Sequence, residues 1–210
     1  MRWKESAKNM VNLYSLVLMS LLLALRVVFE LFTTIQIGDY LKIDFSVFLT
    51  AYSCMIFGPV PGIVMGGAAD ILCFLLKPTG PYFFGFTLSK MIAGMIYGLF
   101  FYKRKMTPYW RCIVRVFFTV TLVTIVVNLC MNTIWICLLY GVKDLSRFVT
   151  EPSAAMEAFM IKLRAGFWAR LLKEGIMIPV NTAVVSLVFI VAGRIPLNIP
   201  GMNSAGRNTK

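Results

Sequence analysis

The sequence predicts an all-α integral membrane protein, a single membrane domain over residues 1–210 built as a bundle of six transmembrane helices. Of the 210 residues, 59% are hydrophobic and only 14% are charged, and the mean hydropathy is +0.80. Soluble domains carry about a quarter charged residues. This chain has too few charges to cover a water-facing surface, so lipid must be part of its solvent. The predicted spans are residues 12–32, 44–57, 60–76, 85–102, 112–140 and 167–192.

The first span follows a basic N-terminal segment, an arrangement that a secretory signal peptide would share. The apolar run is longer than the roughly 7–15 apolar residues of such a signal. In addition, Ala24-Leu25-Arg26 makes a poor cleavage site. We therefore expect a retained helix.

Proline and glycine divide the middle of the chain into spans. Gly58-Pro59-Val60-Pro61-Gly62 predicts a tight turn rather than a continuing helix. Lys77-Pro78-Thr79-Gly80-Pro81 ends the third span, and the charged stretch 141–166 is expected to be a loop before the sixth. The third span also carries small residues that let a neighbouring helix approach closely: Gly62, Gly66, Gly67, Ala68 and Ala69.

The distribution of basic residues predicts the orientation, because cytoplasmic segments carry the excess of lysine and arginine. With the N-terminus inside, the cytoplasmic set is Arg2, Lys4, Lys8, Lys103, Arg104, Lys105, Arg111, Arg115, Arg194, Arg207 and Lys210. The smaller external set is Lys42, Lys77, Lys143, Arg147, Lys162 and Arg164. Both termini are therefore expected in the cytoplasm of a bacterial cell, with the chain crossing the cell membrane several times.

The net charge is +12, and most of the basic residues flank the predicted membrane spans. We therefore expect a lipid bilayer as partner and no nucleic acid. Histidine is absent, which removes the commonest neutral metal ligand. The five cysteines lie in or beside apolar stretches without a Cys-x-x-Cys pair, as small hydrophobic residues do. The sequence therefore predicts neither a metal nor a cofactor.

Ionisable residues inside a span are costly and are candidates for function by default. Those predicted on the outer side of the spans are Arg26, Asp70, Lys90, Arg170, Lys173 and Glu174. Four basic residues against two acidic ones leave an excess of +2, which favours a ligand with about two negative charges. Two alternatives stay open: Lys90 and Lys173 snorkel to the headgroups, or Arg26 pairs with Asp70 between helices.

Aromatic residues cluster at the same predicted depth. Tyr82, Phe83, Phe84 and Phe86 open the fourth span, and Trp168 lies near Arg170 in the sequence. An interfacial aromatic belt would explain them. The alternative is a stacking surface for a flat ring.

The block 78–89, Pro-Thr-Gly-Pro-Tyr-Phe-Phe-Gly-Phe-Thr-Leu-Ser, followed by Gly-Met-Ile-Tyr-Gly at 94–98, resembles the substrate-binding S components of energy-coupling factor (ECF) vitamin transporters. The chain is most similar to their folate-specific branch. Phe57-Gly58-Pro59, the run 66–70 (Gly-Gly-Ala-Ala-Asp) and Leu25-Arg26 fit the family in the same order. The chain departs from the family at Phe84, where proline is commoner.

This resemblance implies a six-helix bundle that binds one vitamin near its extracellular face. It also implies delivery inward with a transmembrane T component and two cytoplasmic ATPases. The chain itself has no phosphate-binding loop motif, so ATP hydrolysis would come from those partners. Many S components dock their membrane partner through Ala-x-x-x-Ala on the first helix; the nearest match here is Ser20 to Ala24.

For folate, the vitamin bound by the branch that the chain resembles, we assign the positive field for the glutamate tail to Arg26, Lys90 and Arg170. Tyr82, Phe83 and Trp168 would enclose the rings, and Asp70 would accept hydrogen bonds from pterin nitrogens. Residues 33–42 and 77–85 would form lids, and the second lid supplies Thr79 and Gly80 to the substrate site.

Three other functions are weighed against this one. An S component for a different vitamin would keep the fold, although a neutral or cationic vitamin leaves the positive excess unexplained. A membrane enzyme acting on a lipid needs paired carboxylates, a histidine or an activated nucleophile, and the sequence offers none of these. A structural membrane subunit would leave the outer charges without a role.

Overall fold

The computed structural model describes residues 2–33, 35–37, 41–43, 46–78, 82–103, 109–143 and 152–192. Its elements, in chain order, are α1 (Arg2–Asn9), α2 (Leu13–Thr33), β1 (Ile35–Ile37), β2 (Leu41–Ile43), α3 (Val47–Phe57), α4 (Pro59–Leu76), α5 (Phe84–Phe101), α6 (Tyr109–Val123), α7 (Asn132–Lys143) and α8 (Pro152–Ala192). A π-helical segment, Thr124–Met131, joins α6 to α7.

Within the described residues, five helical segments are long and apolar enough to cross a membrane, so the helical membrane class predicted from composition is confirmed. They are Leu13–Thr33, Pro59–Leu76, Phe84–Phe101, Tyr109–Ile136 and Arg170–Val191. Helix α3 is apolar but has only 11 residues. At 1.5 Å per residue it is about 16 Å long, roughly half the thickness of a bilayer core.

The structure adds a β-hairpin to the predicted helices. β1 and β2 pair antiparallel, with Ile35 opposite Ile43 and Ile37 opposite Leu41. The sequence carries the signal for this hairpin, because apolar and polar residues alternate on both sides of Gly38-Asp39. A search for spans of about 20 apolar residues passes over so short an element.

The expected turn at residues 58–62 is confined to one residue. Gly58 has φ of 96°, a backbone conformation that glycine adopts without steric cost. Pro59 and Pro61 lie in the first helical turn of α4 and not in a loop. Proline is tolerated there because the first N–H groups of a helix have no intrahelical partner to lose. The expected loop at 141–166 is also shorter, because α7 continues to Lys143 and α8 already begins at Pro152.

Helices α4 and α5 are antiparallel and pack through glycines. A side chain added at Gly62 would lie 2.7 Å from the carbonyl oxygen of Gly94, and one at Gly66 would lie 2.5 Å from that of Lys90. An added carbon at Gly98 would collide with the backbone of Pro59. The small residues of the third span therefore do allow the close approach that the sequence predicts.

Helix α1 closes the end of the bundle where α3 and α4 meet. The fully buried Ser6 hydroxyl donates to the carbonyl oxygen of Phe57 at 3.0 Å and accepts from the N–H of Val60 at 3.2 Å. These bonds satisfy backbone groups that the helix break at Gly58 leaves without intrahelical partners. The end of α3 and the start of α4 therefore lie beside the N-terminal helix.

The core on this side of the bundle is aromatic and β-branched. Phe101 of α5 meets Phe189 of α8 edge to face, with ring centroids 4.8 Å apart, and both rings are fully buried. Val116 and Val120 of α6 belong to the same cluster. Because lipid is as apolar as these side chains, their close packing, and not their removal from water, holds α8 against α5 and α6.

We expect the Gly94→Ala substitution to destabilise the protein, because its methyl group would collide with the carbonyl of Gly62. Overpacking of this kind costs about 1–3 kcal/mol. Thermal unfolding in detergent measures the effect. Gly175→Ala is the matched control, because an added carbon there meets nothing within 4 Å. An equal loss of stability in both variants would contradict the close packing of α4 on α5.

Candidate functional site

Charged side chains from α2 and α5 meet at the end of the bundle opposite α1. Arg26 and Glu30 are one turn apart on α2, with Nη2 of Arg26 3.8 Å from Oε2 of Glu30. Lys90 of α5 donates from Nζ to Oε1 of Glu30 at 3.2 Å. Arg26 is 3% exposed and Glu30 is 2% exposed. The carboxylate therefore lies between two cations in a nearly dry setting.

Arg26 keeps hydrogen-bonding capacity that the described part of the chain does not use. Its Nε and Nη1 are buried and make no hydrogen bond within that part. Buried polar atoms are nearly always paired, and an exception calls for an explanation. Because guanidinium donors match carboxylate oxygens, these nitrogens are suited to an anionic ligand.

Asp70 lies one turn beyond Gly66, where α4 faces the start of α5. The Thr87 hydroxyl donates to Oδ2 of Asp70 at 2.8 Å, and the hydroxyls of Thr87 and Tyr82 are 2.8 Å apart. The Tyr82 ring also packs against Phe74, with centroids 5.0 Å apart. This chain of hydrogen bonds orients the carboxylate and ties it to the residues that precede α5.

The π-helical segment, α7 and α8 supply the other polar side chains at this end. Arg170 is buried and donates to the Thr133 hydroxyl at 3.4 Å. The buried Glu174 accepts from Lys173 at 2.7 Å and from the Asn128 amide at 3.2 Å. Asn128 belongs to the π-helical segment, a geometry that often occurs at functional sites.

Trp135 of α7 connects the two groups of residues. Its Nε1 donates to the Ser89 hydroxyl at 3.0 Å, next in sequence to Lys90. The ring lies 5.8 Å from the ring of Phe83. A side chain at Gly85 would come within 2.5 Å of both rings, so only glycine fits there. We call this assembly the charged end; its charged members are Arg26, Glu30, Asp70, Lys90, Arg170, Lys173 and Glu174.

The structure brings six of the sequence-predicted site residues to the charged end. They are Arg26, Asp70, Tyr82, Phe83, Lys90 and Arg170. Trp168 is placed differently: it is 56% exposed and packs against Phe167. At 100° per residue it lies about 200° around α8 from the buried Arg170. Thr79 and Gly80 lie outside the described residues.

Sequence reasoning missed Glu30 and Trp135. Glu30 carries a signal, since it lies four residues after Arg26 and so on the same helix face. Including it, four basic residues face three acidic ones, and the excess falls from the expected +2 to +1. Trp135 carries no such signal, because its partners are distant in sequence: Ser89 belongs to α5 and Phe83 directly precedes it.

The predicted docking residues Ser20 and Ala24 lie on the exposed face of α2. Leu21, 64% exposed, lies between them. Within the described residues, no three His, Cys, Asp or Glu side chains are grouped so that they could hold a metal ion. The charged end thus offers cations, carboxylates and aromatic rings as its binding groups.

Comparison with known proteins gives the family. Residues 14–200 match the family model for the ECF transporter, substrate-specific component. The sequence is 35% identical over 170 residues to the folate transporter FolT of Clostridium novyi (strain NT), which covers 81% of this chain and 84% of that one. It is 29% identical over 125 residues to the folate transporter FolT of Leuconostoc mesenteroides subsp. mesenteroides, covering 59% and 64%.

A solved structure agrees with these sequence relatives. The fold matches the crystal structure of FolT bound with folic acid with a TM-score of 0.68 and 32% identity, covering 87% of this chain and 95% of that one. The chain belongs to the family of substrate-specific components of ECF transporters, which are membrane transport proteins and not enzymes.

Proposed function

We propose that this chain is the folate-binding substrate-specific component of an ECF-type uptake transporter. It captures folate at the charged end, on the extracellular side of the cell membrane. The observation that carries the proposal is Arg26, which is buried and has two guanidinium nitrogens without hydrogen-bond partners in the described part of the chain. The similarity to proteins named folate transporters supports folate as the anion.

The charged end matches the chemistry of folate group by group. Folate has a flat pterin ring, a benzoate bridge and a glutamate tail with two carboxylates. Arg26, Lys90 and Arg170 attract the tail, because cations in an apolar setting interact strongly with carboxylates. Asp70, oriented by Thr87, accepts hydrogen bonds from the pterin nitrogens.

The aromatic residues enclose the rings of the vitamin. Tyr82 and Phe83 fill this role, as the sequence predicts, and Trp135 takes the position assigned to Trp168, because its ring faces Phe83. Thr79 and Gly80 complete the site in this proposal. Aromatic faces pack well on flat rings.

The proposed topology has six spans, with both termini in the cytoplasm and residues 1–210 forming one membrane domain. Helix α3 supplies the sixth crossing despite its length. Its end, Phe57, accepts a hydrogen bond from Ser6 of α1, whereas the end of α2 carries Glu30 at the charged end. The chain therefore returns between Thr33 and Phe57 to the end from which α2 started.

The proposed partners are a transmembrane T component and two cytoplasmic ATPases, as the family implies. The exposed face of α2 around Ser20 and Ala24 is the proposed contact with the T component. Small residues there let a partner helix approach closely.

A substrate-specific component for a vitamin with one carboxylate is the second candidate. With Glu30 included, the charged end has an excess of one positive charge. This excess matches a ligand with one carboxylate better than the ligand with two negative charges that the sequence predicts. Biotin, which carries a single carboxylate, represents this class in a binding assay.

We expect the purified chain to bind folate one to one, and Arg26→Ala to weaken that binding. Losing one partner of a buried charged contact costs about 2–5 kcal/mol, a loss of affinity of roughly 30- to 5,000-fold. Calorimetry in detergent measures it, with Arg111→Ala on the exposed face of α6 as the control. Tight binding of biotin without folate binding would favour the second candidate, and equal affinities of the two variants would contradict the role of Arg26.

Thr87→Val should also weaken folate binding, because it removes the hydroxyl that orients Asp70 while keeping the shape of the side chain. A hydrogen bond to a charged group contributes about 1.5–3 kcal/mol, so the loss should be about tenfold or more. Thr119→Val is the matched control: Thr119 is also fully buried, but its hydroxyl donates to the backbone oxygen of Arg115 in its own helix. If both variants bind folate like the parent, Asp70 does not depend on Thr87.

Reporter fusions test the topology. Alkaline phosphatase, active only outside the cytoplasm, should be active when fused after Thr33 or Lys77 and inactive after Phe57, because each helix between these points crosses the membrane. Green fluorescent protein at the C-terminus should fluoresce. Activity after Phe57 together with inactivity after Lys77 would mean that α3 does not cross.

A further inference from the structure

Glu30 is an unexpected residue in a site for an anion. It is 2% exposed, forms an ion pair with Arg26 and accepts a hydrogen bond from Lys90. Its negative charge opposes that of a bound carboxylate. With Glu30 the charged end has an excess of +1, and without it the excess would be +2. A site that only had to attract an anionic ligand would lack this glutamate.

The geometry of the two cations gives Glu30 a different role. Lysine is a point charge on a flexible stem, and arginine is a rigid fork on a long one. Glu30 holds the Nζ of Lys90 at 3.2 Å and the Nη2 of Arg26 at 3.8 Å. The backbone of Lys90 is itself fixed against Gly66 of α4. One carboxylate therefore holds two positive groups from different helices close together, Lys90 by a hydrogen bond and Arg26 by an ion pair.

This contact leaves part of Arg26 for a ligand. Glu30 lies near Nη2, whereas Nε and Nη1 make no hydrogen bond within the described residues. The 3.8 Å ion pair draws one side of the guanidinium group towards Glu30 and leaves the other two nitrogens for a ligand. A ligand then binds without the loss of side-chain freedom that an unanchored arginine would undergo.

We propose that Glu30 is a positioning residue that makes the site selective for ligands carrying a glutamate tail. It acts by holding Arg26 and Lys90 at the spacing that the tail carboxylates require, and it does not contact the ligand itself. This inference rests on the proposed function, because it assigns those two cations to the tail of folate.

Two ligands separate positioning from charge and from general stability. Folate carries the tail, and pteroate is the same molecule without its glutamate. Calorimetry with both ligands should be carried out on the parent chain and on the Glu30→Ala, Glu30→Gln and Glu5→Ala variants. Glu5→Ala is the matched control, because it removes a glutamate from α1 at the opposite end of the bundle.

Glu30→Ala should weaken folate binding at least tenfold, although it makes the site more positive. Pteroate binding should change less than threefold, so the ratio of the two affinities falls. Glu30→Gln, which keeps an acceptor for Lys90 but loses the charge, should lie between the parent and Glu30→Ala. It also provides the measurement if the alanine variant does not fold. Glu5→Ala should leave both affinities unchanged.

Three results would overturn the inference. Unchanged or tighter folate binding by both Glu30 variants would mean that the residue acts only through its charge. A parallel loss for folate and pteroate would indicate a structural role without selectivity. A parent chain that binds no folate would overturn the proposed function along with this inference, whereas the first two results leave the proposed function standing.

Discussion

Helices α4 and α5 approach so closely that the carbonyl oxygens of Gly94 and Lys90 occupy the space that side chains would need at Gly62 and Gly66. This contact fixes the antiparallel register of the two helices, because only glycine permits it at these positions. The positions of the polar side chains follow from the register. Asp70, one turn beyond Gly66, comes within hydrogen-bond distance of Thr87. Lys90, with its backbone held against Gly66, has its side chain at Glu30 of α2. The charged end is therefore built on a contact between backbones and does not depend on a ligand to bring its parts together.

Burial makes these charges effective. A guanidinium or carboxylate out of water is costly unless it is paired, and its interactions there are much stronger than in bulk solvent. Glu30 and Glu174 each lie against a lysine, and Asp70 accepts from Thr87. Arg26 alone among these has nitrogens with no hydrogen-bond partner in the described part of the chain. In the proposed function, the carboxylates of an anionic vitamin supply the acceptors for these two nitrogens. This arrangement favours tight binding because little has to reorganise on capture.

The sequence predicts those features of the fold and the site that depend on one type of residue within a single helix. Apolar runs predict the membrane helices, small residues at 62–69 predict the close helix contact, and charges within those runs identify Arg26, Asp70, Lys90 and Arg170. Features that depend on two elements meeting were missed or misplaced. Trp135 has no distinguishing pattern along the chain, yet it contacts Ser89 and Phe83. Trp168 is near Arg170 in sequence, but it lies on another face of α8. Glu30 could have been predicted, because it lies four residues after Arg26 and therefore on the same helix face. It matters because it lowers the net charge of the site.

The central claim is that Arg26 of α2 and Lys90 of α5 bind the carboxylates of folate. The most direct measurement is an experimental structure of this chain with folate bound. We expect the glutamate tail beside Arg26 and Lys90, with its carboxylate oxygens within about 3 Å of the guanidinium nitrogens, and the pterin ring near Asp70 and Phe83. A tail that points away from Arg26, with the pterin ring against the guanidinium instead, would contradict the claim even if folate binds tightly.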